Sequence, residues 1–309
     1  MEFLASLGTT GEMIVFGFLG LLVGSFLNVV IHRLPKIMEA QWDAECAEHM
    51  AAQAGQEDFT PPAPALTLSH PHSRCPQCGH GIRWFENIPV LSWLVLRGRC
   101  SQCQHRISVR YPLVEITTAL LFAWNAAHWG PTAAALVWCG FSAVLLALAL
   151  IDWDTTLLPD SMTLPLLWAG LMATTLGWTG INLLDAVCGD AAGYLSLWSI
   201  YWVFKLATGK EGMGYGDFKL LAALGAWFGW QALVPILLAS SVIGAIIGIA
   251  LKINSRLRPG GYIPFGPFLA GAGFAVCVLL ADVFALIAEK FVRSMTDDVS
   301  SLRGVASLV

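Results

Sequence analysis

Long apolar runs separated by short polar stretches constrain this chain more than any other feature. The first run extends from Met13 to Ile31 and stops at His32-Arg33; others recur near 112–128, 132–151, 162–179, 184–204, 218–230, 231–251 and 262–288. A helix of about 20 apolar residues crosses a hydrocarbon core, and a helix satisfies its own backbone polar groups in lipid. Composition points the same way, with 12% charged residues against about 25% in soluble domains. The expected fold is an all-α polytopic membrane protein with about eight transmembrane helices. Met1 to Thr10 holds no basic residue and the first run is long enough to stay as an anchor, so no cleavable signal peptide is expected. The run at 218–230 is short, and the glycine stretch before it is expected to lie partly inside the membrane.

The distribution of charge predicts the orientation. Eight of the 17 Lys and Arg residues lie between Arg33 and Arg110, and residues 111–204 contain none. Basic loops stay in the cytoplasm, so 32–110 is expected there. Alternating the spans then places 152–161, 205–217 and 252–261 on the same side. The last two loops carry Lys205, Lys210, Lys252, Arg256 and Arg258, in keeping with the rule; the tail, with Lys290, Arg293 and Arg303, falls outside against it. The chain divides into a first span (1–31), a cytoplasmic loop (32–110), a membrane-embedded core (111–290) and a tail (291–309). Within the loop, Met38, Trp42, Cys46 and Met50 recur every four residues. They predict an amphipathic helix, ended at Pro61-Pro62-Ala63-Pro64. Cys46 and His49 share one of its faces.

The loop also holds a small repeat: Cys75-Pro76-Gln77-Cys78-Gly79-His80-Gly81-Ile82 and Cys100-Ser101-Gln102-Cys103-Gln104-His105-Arg106-Ile107. Two thiolates two residues apart can share one ion, and two such turns complete a tetrahedral site. Cys75, Cys78, Cys100 and Cys103 are therefore expected to hold a structural zinc in a small zinc-ribbon-like module. Four sulfurs leave no open position for catalysis. His80 and His105 could replace a sulfur, but are expected beside the site instead.

Few charges remain near the apolar runs. Asp152 and Asp154 end the third run, Asp160 precedes the fourth, and Asp217 follows Gly214-Tyr215-Gly216 at the opening of the sixth. A carboxylate at membrane depth is a functional hypothesis. Asp152 and Asp217, on one side of the membrane, could share a proton and activate water against a peptide carbonyl, with Lys219 favouring ionisation nearby. Asp160 reads as a helix cap, Asp154 as a loop or supporting residue, and Asp185 as a cap or interfacial charge on the opposite side. Asp190, inside the fifth run, is open.

At these residues the chain resembles the bacterial prepilin peptidases, or type IV leader peptidases, a class of G-x-G-D membrane aspartic proteases. The resemblance runs in order through Gly24-Ser25-Phe26-Leu27-Asn28, the two cysteine pairs around Asn87-Ile88-Pro89-Val90-Leu91-Ser92-Trp93, Tyr111-Pro112-Leu113-Val114-Glu115, the Asp152 segment, Gly214–Lys219 and Ile263-Pro264-Phe265-Gly266-Pro267-Phe268-Leu269-Ala270. It implies catalysis by Asp152 and Asp217 and zinc on the four cysteines. It implies prepilins and type II secretion pseudopilins as substrates, cut after a glycine at the junction of a basic leader and an apolar helix. It also implies N-methylation of the new terminus by S-adenosylmethionine. The setting implied is the bacterial inner membrane, with membrane lipid as surroundings and no nucleic-acid partner. The stretch 38–68 matches no motif of the family, and no nucleotide-binding glycine fingerprint is present. Two other readings of the same residues are an ion-coupled transporter with Asp152 and Asp217 as ion ligands, which calls for inverted repeats, and a non-catalytic assembly scaffold.

Overall fold

Residues 8–55, 66–254 and 263–278 are described by a computed structural model. Among them there is no strand, only two isolated bridges, Arg74 with Gly81 and Arg99 with Arg106. The helices are α1 (Gly8–Gln53), α2 (Leu91–Val95), α3 (Arg110–Trp129), α4 (Ala133–Thr155), α5 (Asp160–Thr175), α6 (Leu183–Thr208), α7 (Tyr215–Phe228), α8 (Leu233–Ile253) and α9 (Gly266–Val278). Among the described residues, three helical segments are long and apolar enough to cross a membrane: α1, α4 and Trp230–Ile253, which contains α8. The 16 residues of α5 and 14 of α7 reach only about 24 and 21 Å at 1.5 Å per residue. The longer α6 carries Asp185, Asp190 and Lys205.

The first run and the amphipathic stretch after it form one helix of 46 residues. His32 and Arg33 do not end it, because charged residues cost little in a helix interior. Pro35 removes one backbone bond but the helix continues. Pro61 to Pro64, expected to end the amphipathic stretch, lie outside the described residues, as do 255–262 and the tail.

Small residues set how closely the helices approach. On α1, a Cβ at Gly20 would stand 2.7 Å from the Ala119 Cα, and one at Gly24 2.7 Å from the Glu115 Cα, so α3 lies directly on that face. Such glycine faces let helix backbones touch. Gly189 of α6 and Gly225 of α7 meet backbone to backbone, and a Cβ at Gly193 would stand 2.7 Å from the Leu221 carbonyl oxygen. Trp227 closes α7 onto α5: its Nε1 donates to the Leu166 carbonyl at 2.8 Å, and its ring covers Gly170.

Two clusters share α4. Cys139, Ala143, Ala147 and Ile151 face Phe16, Leu27, Ile31, Val114 and Phe122 of α1 and α3. Trp138, Phe141, Leu145 and Leu148 face α5, α7, α8 and α9. A helix apolar on all sides belongs at the centre. From Asp217 to Phe228, every residue of α7 except Lys219 is buried. The C-terminal turn of α4 and the first turn of α7 therefore carry Asp152 and Asp217 into a protein interior.

Candidate active site

Asp152 sits in the last turns of α4, where Thr156 caps the helix in the left-handed conformation (φ 57°) and donates its N–H to the Asp152 carbonyl at 2.8 Å. The side chain turns inward and is 4% exposed. Asp217 lies in the first turn of α7, 7% exposed, with its N–H directed at the Gly214 carbonyl at 3.3 Å. A carboxylate is favoured at a helix N-terminus. Gly216 lets the loops close: a Cβ there would stand 2.6 Å from that of Leu158, in the turn after α4. The two carboxylates are near enough to feel each other's charge.

A third element joins them. The Gly266 N–H, at the start of α9, donates to Asp152 Oδ2 at 2.9 Å, and a Cβ at Gly266 would stand 2.6 Å from the same oxygen. Asp217 Oδ1 is buried with no hydrogen-bond partner among the described residues. A buried acceptor left unpaired costs about 1–3 kcal/mol, and such atoms concentrate where a role compensates for the cost.

The neighbouring acids are neutralised instead. Asp154 pairs with Arg110 of α3 at 2.7 Å, and Asp160 takes the Lys219 ammonium at 2.6 Å. Asp160 is thus not the helix cap its sequence position indicates. It is the first residue of α5, behind the N-cap Pro159, and both its carboxylate oxygens take the Lys219 ammonium. Lys219 is correspondingly committed to Asp160. Asp185, in the first turn of α6, receives the Trp230 indole N–H at 3.0 Å. Asp190 is half-buried within α6.

The cysteine pairs converge. The four sulfurs of Cys75, Cys78, Cys100 and Cys103 lie within 4.8 Å of one another, and Cys75 Sγ is 3.7 Å from Cys103 Sγ. Thiolates at about 2.3 Å from a tetrahedral zinc stand about 3.8 Å apart, so the donor set fits that ion. Each knuckle is built alike. The Cys75 N–H donates to the His80 carbonyl and that of Cys100 to the His105 carbonyl, at 2.8 and 2.9 Å, and Gly79 and Gln104 turn with positive φ. The Cys78 and Gln77 amides lower the Cys75 thiol to about 6, and the Cys103 and Gln102 amides lower Cys100. The His105 amide pulls Cys103 down, but burial and the three neighbouring sulfurs outweigh it and push that thiol up to about 12. His80 turns to Glu86 at 3.3 Å and not into the sulfur cluster. Cys46 and His49 lie exposed on α1, in no metal-binding group among the described residues.

The module is fastened to the helices below it. The Val90 N–H donates to Glu115 Oε2 of α3 at 2.8 Å, and Arg33 of α1 donates to the Thr67 carbonyl ahead of the first knuckle at 3.0 Å. Trp93 lies over Gly98 (φ 66°), where a Cβ would stand 2.8 Å from the indole ring.

This arrangement has relatives. Residues 18–129 match the bacterial peptidase A24 N-terminal domain, and residues 139–249 match the type IV leader peptidase family. The chain belongs to the type IV leader peptidase family. It is 54% identical over 264 residues to the prepilin leader peptidase/N-methyltransferase of Pseudomonas putida, across 85% of this chain and 89% of that protein. The protein of the same name from Stutzerimonas stutzeri is 51% identical over 275 residues, across 89% and 93%. That of Pseudomonas aeruginosa is 53% identical over 264 residues, across 85% and 89%. No solved structure matches the chain. The boundary between the two matched regions falls at the start of α4, the helix that both packing clusters share.

Proposed function

We propose that this chain is a membrane aspartic endopeptidase that removes the basic leader of type IV prepilins and pseudopilins, and that it methylates the N-terminus so exposed. Membership of the leader peptidase family and the printed names of its relatives support both activities. The observation that carries the site assignment is the contrast among four acids. Asp154 and Asp160 are bound by cations, whereas Asp152 and Asp217 are buried within reach of each other's charge, and Asp217 Oδ1 has no hydrogen-bond partner among the described residues. Two carboxylates that cannot both ionise share one proton. The ionised member takes a proton from water, whose oxygen bonds to the peptide carbonyl carbon while the protonated member donates a hydrogen bond to the carbonyl oxygen; the proton taken from water then passes to the amide nitrogen, and the C–N bond breaks to release the amine and a new carboxyl terminus. The Gly266 N–H holds Asp152 Oδ2 in place through these steps.

The remaining helices complete about eight passes through the inner membrane, with 32–110 and the aspartate pair at the cytoplasmic face. A leader rich in Lys and Arg stays on that side, which puts the scissile bond level with the pair. The membrane core is 111–290. A structural zinc on Cys75, Cys78, Cys100 and Cys103 would supply folding free energy to the loop. S-adenosylmethionine is the methyl donor that the resemblance implies.

The test is a prepilin incubated with purified enzyme and methyl donor, followed by mass analysis of the product N-terminus. Asp152→Asn and Asp217→Asn should each abolish cleavage while the protein accumulates in the membrane, and Asp217→Asn should still methylate an already-cleaved pilin. Cleavage near the wild-type rate by either variant overturns the dyad.

A further inference from the structure

The cysteine module carries an apolar ridge that none of these roles uses. Trp84 is 82% and Val95 80% exposed, and Phe85, Leu91 and Leu94 are exposed beside them. Leu91, Leu94 and Val95 stand at i, i+3 and i+4 of α2, hence on one face. Trp93 turns the other way, its Nε1 donating to the Ile107 carbonyl at 3.3 Å. Residues 84–87 form a 3-10 turn that leads through Ile88, Pro89 and Val90 into that face.

Depth locates this ridge. Val90 is held by Glu115, whose Cα lies against Gly24 of α1. Gly24 precedes His32, the first basic residue after the apolar run, by eight positions, which is about 12 Å along the helix. The Glu115 side chain points back toward the α3 N-terminus and recovers part of that distance. The ridge therefore begins below the headgroup level at which the polar loop should stand. Charge complements it. From 66 to 109 the module has Arg74, Arg83, Arg97, Arg99 and Arg106 against a single acid, Glu86. Arg83 and Arg97 are exposed next to the ridge, with Arg83 over the Phe85 ring at 5.8 Å.

We infer that the ridge of Trp84, Phe85, Leu91, Leu94 and Val95 is an interfacial anchor that dips into the cytoplasmic leaflet, with Arg83 and Arg97 on anionic lipid headgroups. Aromatic and aliphatic side chains flanked by arginine are the composition that binds a bilayer surface. The anchor keeps the metal-binding knuckles lying over the membrane beside the aspartate pair. This rests on the proposed topology, in which α1 spans the bilayer and 32–110 faces the cytoplasm.

The experiment places a small fluorescent amino acid at one position of the full-length protein in nanodiscs of phosphatidylethanolamine and phosphatidylglycerol. The positions are Val95 on the ridge, Gln77 on the first knuckle and Phe18 on the lipid-facing side of α1. Lipids doped with a nitroxide near the headgroup should quench position 95 at least threefold more than position 77, while aqueous iodide does the reverse. If position 18 is quenched by lipid nitroxide but 95 behaves like 77, the anchor is wrong and the topology stands. If position 18 is not quenched, both fall. Quenching at 95 that arises only after a prepilin is added would assign the ridge to the substrate and overturn the lipid assignment.

Discussion

Gly266→Ala tests the site with one methyl group. The Cβ would arrive 2.6 Å from Asp152 Oδ2, 3.1 Å from its Cγ and 3.2 Å from Leu158 Cδ1. Ordinary contact between such atoms begins roughly 0.8 Å further out, and the carboxylate is confined because Asp152 is buried at the end of α4. Either α9 retreats, stretching the 2.9 Å hydrogen bond from the Gly266 N–H, or the carboxylate turns away from Asp217. A hydrogen bond to a charged group contributes about 1.5–3 kcal/mol, and a misplacement of about 1 Å at a reacting group costs about 100-fold in rate, equivalent to about 2.7 kcal/mol. Prepilin cleavage should therefore fall about 10- to 100-fold, in kcat and not in KM, since Gly266 is assigned no part in holding the leader. Gly271→Ala is the control: it lies on the same helix and its Cβ would meet nothing within 4 Å. The assay is single-turnover cleavage followed by gel shift, with both variants in the same nanodiscs. Gly266→Ala working within twofold of wild type would refute the geometry, because the methyl group would then have found room at no cost to Asp152.

Gly225→Ala forces the α6 and α7 backbones apart, since its Cβ would strike the Gly189 carbonyl group and stand 3.0 Å from the Asp190 nitrogen; overpacking of this kind costs about 1–3 kcal/mol, read as a lower midpoint of thermal unfolding together with slower cleavage. Cys100→Ser or a strong chelator should remove metal and raise protease sensitivity across 70–110, read by metal analysis and limited proteolysis. Gly98→Trp, driven into the Trp93 ring, should damage methylation more than cleavage, by mass analysis and gel shift on one preparation. Glu86 is pulled down to about 2 by the Arg83 amide, Ser101 and His80. Its contribution is thus fully present above its ordinary value near 4.5 and lost as pH falls toward 2; Glu86→Gln should flatten the acid limb of the loop's protease resistance.

The parts that could be read from the sequence are those whose chemistry is stated by residue type and spacing. Two cysteine pairs with the same internal pattern announce a shared site, and the structure gathers their sulfurs. Acids beside apolar runs announce a cost that something must offset. The pairing of those acids was not legible, because Asp160 meets a lysine 59 residues away and Asp154 an arginine 44 residues away. Locally, an aspartate after Leu-Pro looks like a cap; tertiary structure gave it a cation. The role of Gly266 is not legible in its motif, since a backbone N–H is common to nearly every residue and only its placement makes it a donor to Asp152. The continuity of α1 is hidden for a related reason: His32-Arg33 marks a change of surroundings, which sequence shows, and not a change of backbone, which it does not.

That continuity has a mechanical side. Forty-six helical residues make a rod of about 69 Å, more than twice the roughly 30 Å of hydrocarbon. From His32 to Gln53 it projects about 33 Å past the end of its apolar run. A torque applied at the distal end is carried along a helix that lacks only the Pro35 N–H from its backbone ladder to Gly20 and Gly24, where the α1 and α3 backbones lie in close approach. The rod can then act as a crankshaft between the cytoplasm and the helix that bears both Arg110, clamped on Asp154, and Glu115, clamped on the cysteine module.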